Sequence, residues 1–353
     1  MSASSTESDG SEKSTKRVTV VIPNWNGKDL LGPCLESLNR QTFQDFEVIV
    51  VDNGSTDESA ALLQKYFPQV KLIRLEKNYG FSAAVNVGIA ASYSPYIALL
   101  NNDTEVHSSW LKELLEALEA NPKAGSAASK ILFSHDRSLI NTAGDEWSVF
   151  GVAYQRGNNC RDDPKYNRLC FVFSACACAA LYRRDVLNRV GLFDESFFAY
   201  MEDVDLGFRI QLAGYLCLYV PSATVYHKHQ QTSSRIPHLR DHWTERNKLL
   251  VLLKDMPCAA FLLTLPFTFL FTTLNFWRII RRRQLLIYLK AISDVVGLLP
   301  RVLRERRAIQ KNRTITGIAL VRKMRLIGAL RFVLFPRVFS RIQRTKKKRE
   351  IGW

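Results

Sequence analysis

Apolar residues recur along this chain in two periods. Val18, Val20, Val21 and Ile22 form a β-branched run broken by Pro23, which predicts a buried strand. Leu30, Leu31, Cys34, Leu35 and Leu38 then return at helical spacing. Residues 46–51, 70–75 and 96–100 read as further strands, with a small-residue helix over 82–91 before the last. Strands alternating with helices at this regular spacing predict an α/β fold. Its central sheet is mostly parallel and binds ligands at the carboxyl ends of its strands.

Farther along, residues 110–120 are amphipathic at helical spacing and 124–133 read as a strand. Residues 135–170 are polar and irregular, the pattern of an insertion over a cleft. Residues 171–182 are apolar and rich in small side chains, so they should be buried; Cys176-Ala-Cys178 there reads as tight packing. A helix follows, with Leu206, Ile210 and Ala213 on one side, then short strands at 217–220 and 224–226.

Polar clusters punctuate this pattern where chemistry is expected. Asp52-Asn53, Asn78 and Asn101-Asn102-Asp103 all fall at predicted strand ends. Pro23-Asn24-Trp25-Asn26-Gly27 follows the first strand in place of G-x-G-x-x-G, which disfavours a dinucleotide-binding unit, and no P-loop lysine motif occurs. Glu202, Asp203 and Asp205 lie within four positions at the start of the helix carrying Leu206. Carboxylates there serve as an N-terminal cap by default, because free N–H groups and the helix dipole stabilise them. A second acidic site, at Asp103, adds a catalytic reading to that default.

Composition changes the picture at one end only. The chain of 353 residues carries a formal charge of +16. Residues 278–353 hold 22 of the 49 Lys and Arg but three of the 33 acids, a local charge of +19 that leaves −3 for the rest. Such a tail suits an anionic surface. Seven scattered cysteines without a C-x-x-C pair read as reduced thiols. Residues 1–16 read as disordered, without an apolar signal segment.

Residues 256–277 are apolar enough to span a bilayer. A single span, however, would place either the polar strand ends or the basic tail outside, against the positive-inside tendency. Apolar residues also alternate with the charges of the tail. The expectation is therefore helices lying in the interface at the cytoplasmic face of the membrane, with a single span as the alternative.

Taken together, Val20-Val21-Ile22-Pro23-Asn24-Trp25-Asn26, Val50-Val51-Asp52-Asn53-Gly54-Ser55-Thr56-Asp57, Asn78-Tyr79-Gly80-Phe81, Leu99-Leu100-Asn101-Asn102-Asp103, Phe193-Asp194-Glu195 with Glu202-Asp203-Val204-Asp205-Leu206, and His227 resemble a known family. It is that of the inverting family 2 glycosyltransferases with a GT-A fold, in the branch of rhamnosyltransferases of bacterial surface-polysaccharide assembly. The likeness covers about residues 18–250. It implies a transferase domain over 17–250 and leaves 251–353 as the membrane-associating helical region.

The resemblance further implies a nucleotide-sugar donor, with rhamnose as one possible sugar, and a glycan or polyprenyl-linked acceptor. Asp52 would contact the base or ribose, helped by Pro23, Asn24 and Trp25 and by Asn53, Asn78, Gly80 and Asn102. Asp103 would bind a divalent cation, Mg²⁺ or Mn²⁺, with His227 as a further ligand. The first acid of the family's D-x-D motif is Asn101 here, a weaker but still oxygen-bearing ligand. Asp203 would be the base that deprotonates the acceptor, Glu202 its orienting neighbour, and Asp205 structural. The competing readings are an inactive scaffold of the same fold and a nucleic-acid-binding protein. The latter predicts basic residues where this chain has acids and asparagines.

Overall fold

A computed structural model describes residues 16–229, 237–281 and 283–326. The first half alternates as the sequence predicts: β1 (Val18–Asn24), α1 (Lys28–Asn39), β2 (Phe46–Asn53), α2 (Ser59–Tyr66), β3 (Lys71–Leu75), α3 (Phe81–Ala90) and β4 (Tyr96–Leu100). Then come β5 (Thr104–Val106), α4 (Trp110–Glu119), β6 (Ala124–Phe133), β7 (Asp136–Thr142), β8 (Asp145–Trp147), β9 (Ala153–Gln155), β10 (Cys170–Val172), β11 (Ala179–Arg183) and α5 (Arg184–Val190). The chain continues with α6 (Glu202–Leu212), β12 (Leu216–His227), α7 (Pro237–Lys254), α8 (Cys258–Arg281), α9 (Leu285–Asn312) and α10 (Gly317–Val321).

The main sheet runs β10-β12-β6-β11-β4-β1-β2-β3, with β5 against β12 and β7 against β6. The β3-β2-β1-β4 half is parallel throughout. β11 then inserts antiparallel between β4 and β6, while β12 pairs parallel to β6. The chain winds from β1 outward to β3 and returns on the other side of β1 as β4. This reversal opens a crevice at the carboxyl ends of β1 and β4.

The alternation along β1 explains its burial. Val18, Val20 and Ile22 join the apolar layer under α1 and α4, while Val21 joins the opposite layer under α3 and α6. A third apolar cluster joins Trp147, Phe173, Phe208 and Leu212 to Leu250, Val251, Val295 and Val302. It seats α7 and α9 on the outer side of α6. The division expected at residue 250 therefore falls inside α7, which packs with the sheet domain and the C-terminal helices alike.

Two readings of the sequence need correction. Residues 135–170 are not irregular: they form β7, the β8–β9 hairpin and a 3₁₀ turn at Pro164–Tyr166. Their strands are three residues long or paired with register shifts, so local periodicity hid them. Residues 217–220 and 224–226 belong to one strand, β12, interrupted by a register shift between Val220 and Thr224. The segment expected to be disordered (1–16, except Lys16) and the end of the basic tail (327–353) lie outside the described residues.

α8 is long and apolar enough to cross a membrane, and it is mostly uncovered. Phe269 and Leu286 are 72% and 80% exposed. On α9, Leu285, Leu289, Ile292, Val296 and Leu303 line one exposed stripe, while Ala291, Val295 and Val302 form a separate buried one. The helix is thus apolar on two sides, with protein covering one.

Candidate active site

A cleft of about 500 Å³ lies at the crevice. The loop after β1 brings Pro23, Asn24 and Trp25 to it, β2 brings Asn53, and the turn before α3 brings Asn78 and Gly80. Asn101, Asn102 and Asp103 follow β4, Glu202 and Asp203 open α6, and His227 ends β12. Among the residues expected at the site, Asp52 alone does not line the cleft. It is buried behind Asn24, with Asn24 Nδ2 at 3.5 Å and Arg74 Nε at 3.7 Å from its carboxylate. From there it braces the donor side through Asn24, whose Oδ1 accepts from Asn102 Nδ2 at 2.7 Å.

Gly80 shows why this turn needs glycine. Its φ of +93° lies in the region open to glycine, and a Cβ there would stand 2.5 Å from the Phe198 carbonyl oxygen. Asn53 Nδ2 donates at 3.0 Å to both Asn78 Oδ1 and the Gly80 carbonyl, fixing the turn.

Asp103 and His227 meet in the cleft, with Oδ1 and Nε2 3.2 Å apart. The other imidazole nitrogen faces Asn141 Oδ1 at 2.9 Å. Burial alone would lower the His227 pKa, but the Cys178 sulfur and the Asp103 carboxylate outweigh it and raise it to about 10. This corner of the cleft favours positive charge. Two adjacent ligands of an octahedral Mg²⁺ or Mn²⁺ at about 2.1 Å would be about 3 Å apart. The Asp103–His227 pair therefore fits a cation, with Asn141 holding the imidazole as outer partners commonly do.

Glu202 and Asp203 line the same cleft. Asp203 accepts from the Ala177 N–H at 3.1 Å and from the Val204 N–H at 2.9 Å. Burial raises its pKa above the usual carboxylate range even against those hydrogen bonds. Glu202 is raised further, by burial and then by Asp203, and its buried Oε2 has no hydrogen-bond partner. Asp205 points away, held by Arg209 Nη2 at 2.6 Å.

Sequence reasoning missed Asp145. The β8–β9 hairpin places it in the cleft, where an oxygen of Asp145, one of Asp203 and Cys176 Sγ all lie within 4.8 Å of one another. Burial, then the Asp203 charge, pushes the Asp145 carboxyl well up, while Thr142 Oγ1 donates to it at 2.8 Å. Burial also pushes the Cys176 thiol well up, so it stays protonated and is no nucleophile. The cue available was Gly144-Asp145, a turn glycine at φ +89° before an acid. Also missed were Arg240, Trp243 and Thr244 of α7, which cover the cleft from above.

A crevice at the switch point of an α/β sheet, lined by amides and flanked by two separated acidic sites, defines a nucleotide-sugar transferase of GT-A type. The family model for Glycosyl transferase family 2 matches residues 19–191, and the chain belongs to that family. It is 31% identical over 242 residues to an N-acetylglucosaminyl-diphospho-decaprenol L-rhamnosyltransferase of Mycobacterium tuberculosis, covering 60% of this chain and 78% of that protein. It is 29% identical over 247 residues to O-antigen biosynthesis protein RfbC of Myxococcus xanthus, covering 65% of this chain but 19% of that one.

Among solved structures, GalNAc-T7 with UDP, GalNAc and Mn²⁺ is similar with a TM-score of 0.54 at 17% identity. The match covers 69% of this chain and 48% of that one. S. aureus TarS 1-349 is similar with a TM-score of 0.52 at 18% identity, covering 83% and 88%.

Proposed function

We propose that this glycosyltransferase moves a hexose-type sugar, with inversion, from a nucleotide-diphosphate donor to a lipid-linked glycan of the cell surface. The observation that carries it is the presence of two sites in one cleft: Asp103 with His227, and Glu202 with Asp203. The M. tuberculosis rhamnosyltransferase supports rhamnose and a polyprenyl-diphosphate acceptor, and RfbC supports a place in surface-polysaccharide synthesis.

Inversion is an in-line displacement at the anomeric carbon. Asp203 accepts the proton of the attacking acceptor hydroxyl, and the upward shift that burial gives its pKa makes it a stronger base than a free carboxylate. Burial and the Asp203 charge favour the protonated form of Glu202, which donates a hydrogen bond that orients the acceptor. Asn24, Asn53 and Asn78 fix the nucleotide side. Asp103 and His227 would hold a divalent cation, which when bound supplies positive charge to the departing diphosphate.

Donor binding tests this reading. Purified protein is screened by thermal shift with UDP-, GDP- and dTDP-sugars, with and without Mn²⁺. One nucleotide class should stabilise it in a Mn²⁺-dependent way, by about 2.7 kcal/mol at a hundredfold excess over Kd. Asp103→Ala should lose the Mn²⁺-dependent part. Folded protein that no nucleotide sugar stabilises would instead favour an inactive scaffold.

The C-terminal helices support a monotopic seat at the cytoplasmic face. Phe267 packs edge-on against Phe150, and Thr268 Oγ1 donates to the Val149 carbonyl at 3.4 Å. Protein contact thus holds the first half of α8. Residues 269–281 remain, about 20 Å of helix, short of the roughly 30 Å hydrocarbon core. Leu289→Glu with Val296→Glu should weaken binding to phosphatidylglycerol-containing vesicles at least tenfold in a sedimentation assay, as burial of two large apolar side chains implies. Unchanged sedimentation would return the span to favour.

A further inference from the structure

The backbone just before the acidic helix is unusual. Phe198, Tyr200 and Met201 all have positive φ, at 62°, 72° and 70°, and none is glycine. Side chains of this size disfavour that region, so something outside the turn must hold it. That support comes from α7. Asn247 Nδ2 lies 2.9, 2.9 and 2.7 Å from the carbonyl oxygens of Phe197, Ala199 and Tyr200. With two hydrogens for three acceptors, the amide sits at the centre of the turn and shares one bond. Arg246 Nη2 adds contacts to the Ser196 and Phe197 carbonyls at 2.7 and 2.9 Å. Its Nε donates to Asn247 Oδ1 at 2.9 Å and fixes which way the amide faces. Asn247 is wholly buried.

The turn joins the two sides of the cleft. On the donor side, the Phe81 N–H donates to the Phe198 carbonyl at 2.6 Å. On the acid side, the Met201 carbonyl accepts from the Asp205 N–H at 2.9 Å and begins α6, so Met201 sets where Glu202 and Asp203 stand.

We propose that Asn247, supported by Arg246, is a positioning residue for transfer, clamping the left-handed 198–201 turn so that Asp203 faces the acceptor. This rests on the reading of Asp203 as the base. Asn247 touches no substrate; its effect passes through the turn. Asp in its place keeps the shape but sets an acceptor against three carbonyl oxygens, so the turn relaxes and the start of α6 shifts with it.

The experiment compares wild type, Asn247→Asp, Asn247→Asp with Met201→Gly, and Asp203→Asn in the full chain. Turnover is read as nucleoside diphosphate released, using the donor that the thermal-shift screen selects and decaprenyl-diphospho-N-acetylglucosamine as acceptor. Donor affinity is measured separately by titration. In Asn247→Asp, kcat should fall roughly 10²-fold, the loss that misplacing a catalytic group by about 1 Å brings, with donor affinity unchanged. Adding Met201→Gly should restore part of kcat, because glycine holds a positive φ without a clamp.

A parallel loss of kcat, donor affinity and melting temperature, with no rescue by Met201→Gly, would make Asn247 an ordinary structural residue and overturn the proposal. If Asn247→Asp does not fold, Asn247→Ser, which keeps one donor, is read by the same criteria. Inactive Asp203→Asn beside fully active Asn247→Asp would sink the clamp alone. Active Asp203→Asn would sink the reading of Asp203 as base, and the clamp with it.

Discussion

Asp203→Asn should bind the donor as wild type does and lose transfer by roughly 10²–10⁴, the contribution of a well-placed general base. The substitution keeps the shape, and the amide oxygen keeps one of the bonds from the Ala177 and Val204 N–H groups, which in the wild type go to different carboxylate oxygens. Single-turnover kinetics beside a donor titration checks it, and retained turnover would remove Asp203 as the base.

The companion change, Asp145→Asn, bears on pH. Burial opposes ionisation of Asp203, and the Asp203 charge in turn pushes the pKa of Glu202 and of Asp145, within 4.8 Å, further up. A base works only when deprotonated, so activity should fall as pH drops through the raised Asp203 pKa. Asp145 ionises after Asp203, so replacing its carboxyl with an amide should leave that acidic limb where it is. A limb that moves to lower pH would mean that Asp145 ionises first and Asp203 second.

Lys254→Met should destabilise the protein by about 3–5 kcal/mol, the range for breaking a buried ion pair on one side. The ammonium lies 2.6 Å from Asp194 Oδ2, contacts Asp205 Oδ1, and is almost wholly buried. Arg209 and Arg301 complete the network, at 2.6 Å from Asp205 and 2.9 Å from Asp194. Asp255 beside it is buried with neither carboxylate oxygen hydrogen-bonded, and burial with the Asp205 charge holds its pKa well up. A neutral Asp255 keeps the cluster near charge balance.

Deleting the ammonium leaves Asp194 and Asp205 buried with Arg301 and Arg209 alone as countercharges, and chemical denaturation would read the loss. The sign with pH follows from Asp194. Burial alone would raise its pKa, but Lys254 overrides this and lowers it. Its stabilising share is therefore present above the unfolded value near 3.9 and disappears as pH falls toward the folded one. The gap between variant and wild type should narrow in acid. A gap that stays constant down to pH 3 would assign the loss to packing.

The network also shows how the catalytic helix is held. Asp194 precedes the 197–201 turn, Asp205 and Arg209 lie on α6, Lys254 ends α7, and Arg301 lies on α9. A change at the C-terminal helices therefore reaches the acids of the cleft through buried charge as well as through Asn247.

Much of this was legible along the chain. The runs at Val18–Asn24 and Phe46–Asn53, with helices between them, encode their own burial because side chains of a doubly covered sheet must be apolar on both faces. Polar residues at their carboxyl ends had no packing reason to be there, and Asn24 and Asn53 line the cleft. Glu202 and Asp203 were legible too, because a carboxylate run before an apolar helix is a local signal.

Sequence by itself thus determined the parallel half of the sheet, the polar strand ends, the acidic first turn of α6 and the apolar, basic character of the C-terminal helices. Each depends on neighbours within a turn or two of chain. Tertiary structure alone decided the rest. It slid β11 between β4 and β6, folded Asp145 against Asp203 from a hairpin some sixty residues away, withdrew Asp52 behind Asn24, and brought Asn247 onto a turn that no local preference would hold. Those placements rest on pairings between distant segments, where the energy of a contact depends on which surfaces meet and leaves no period in the sequence.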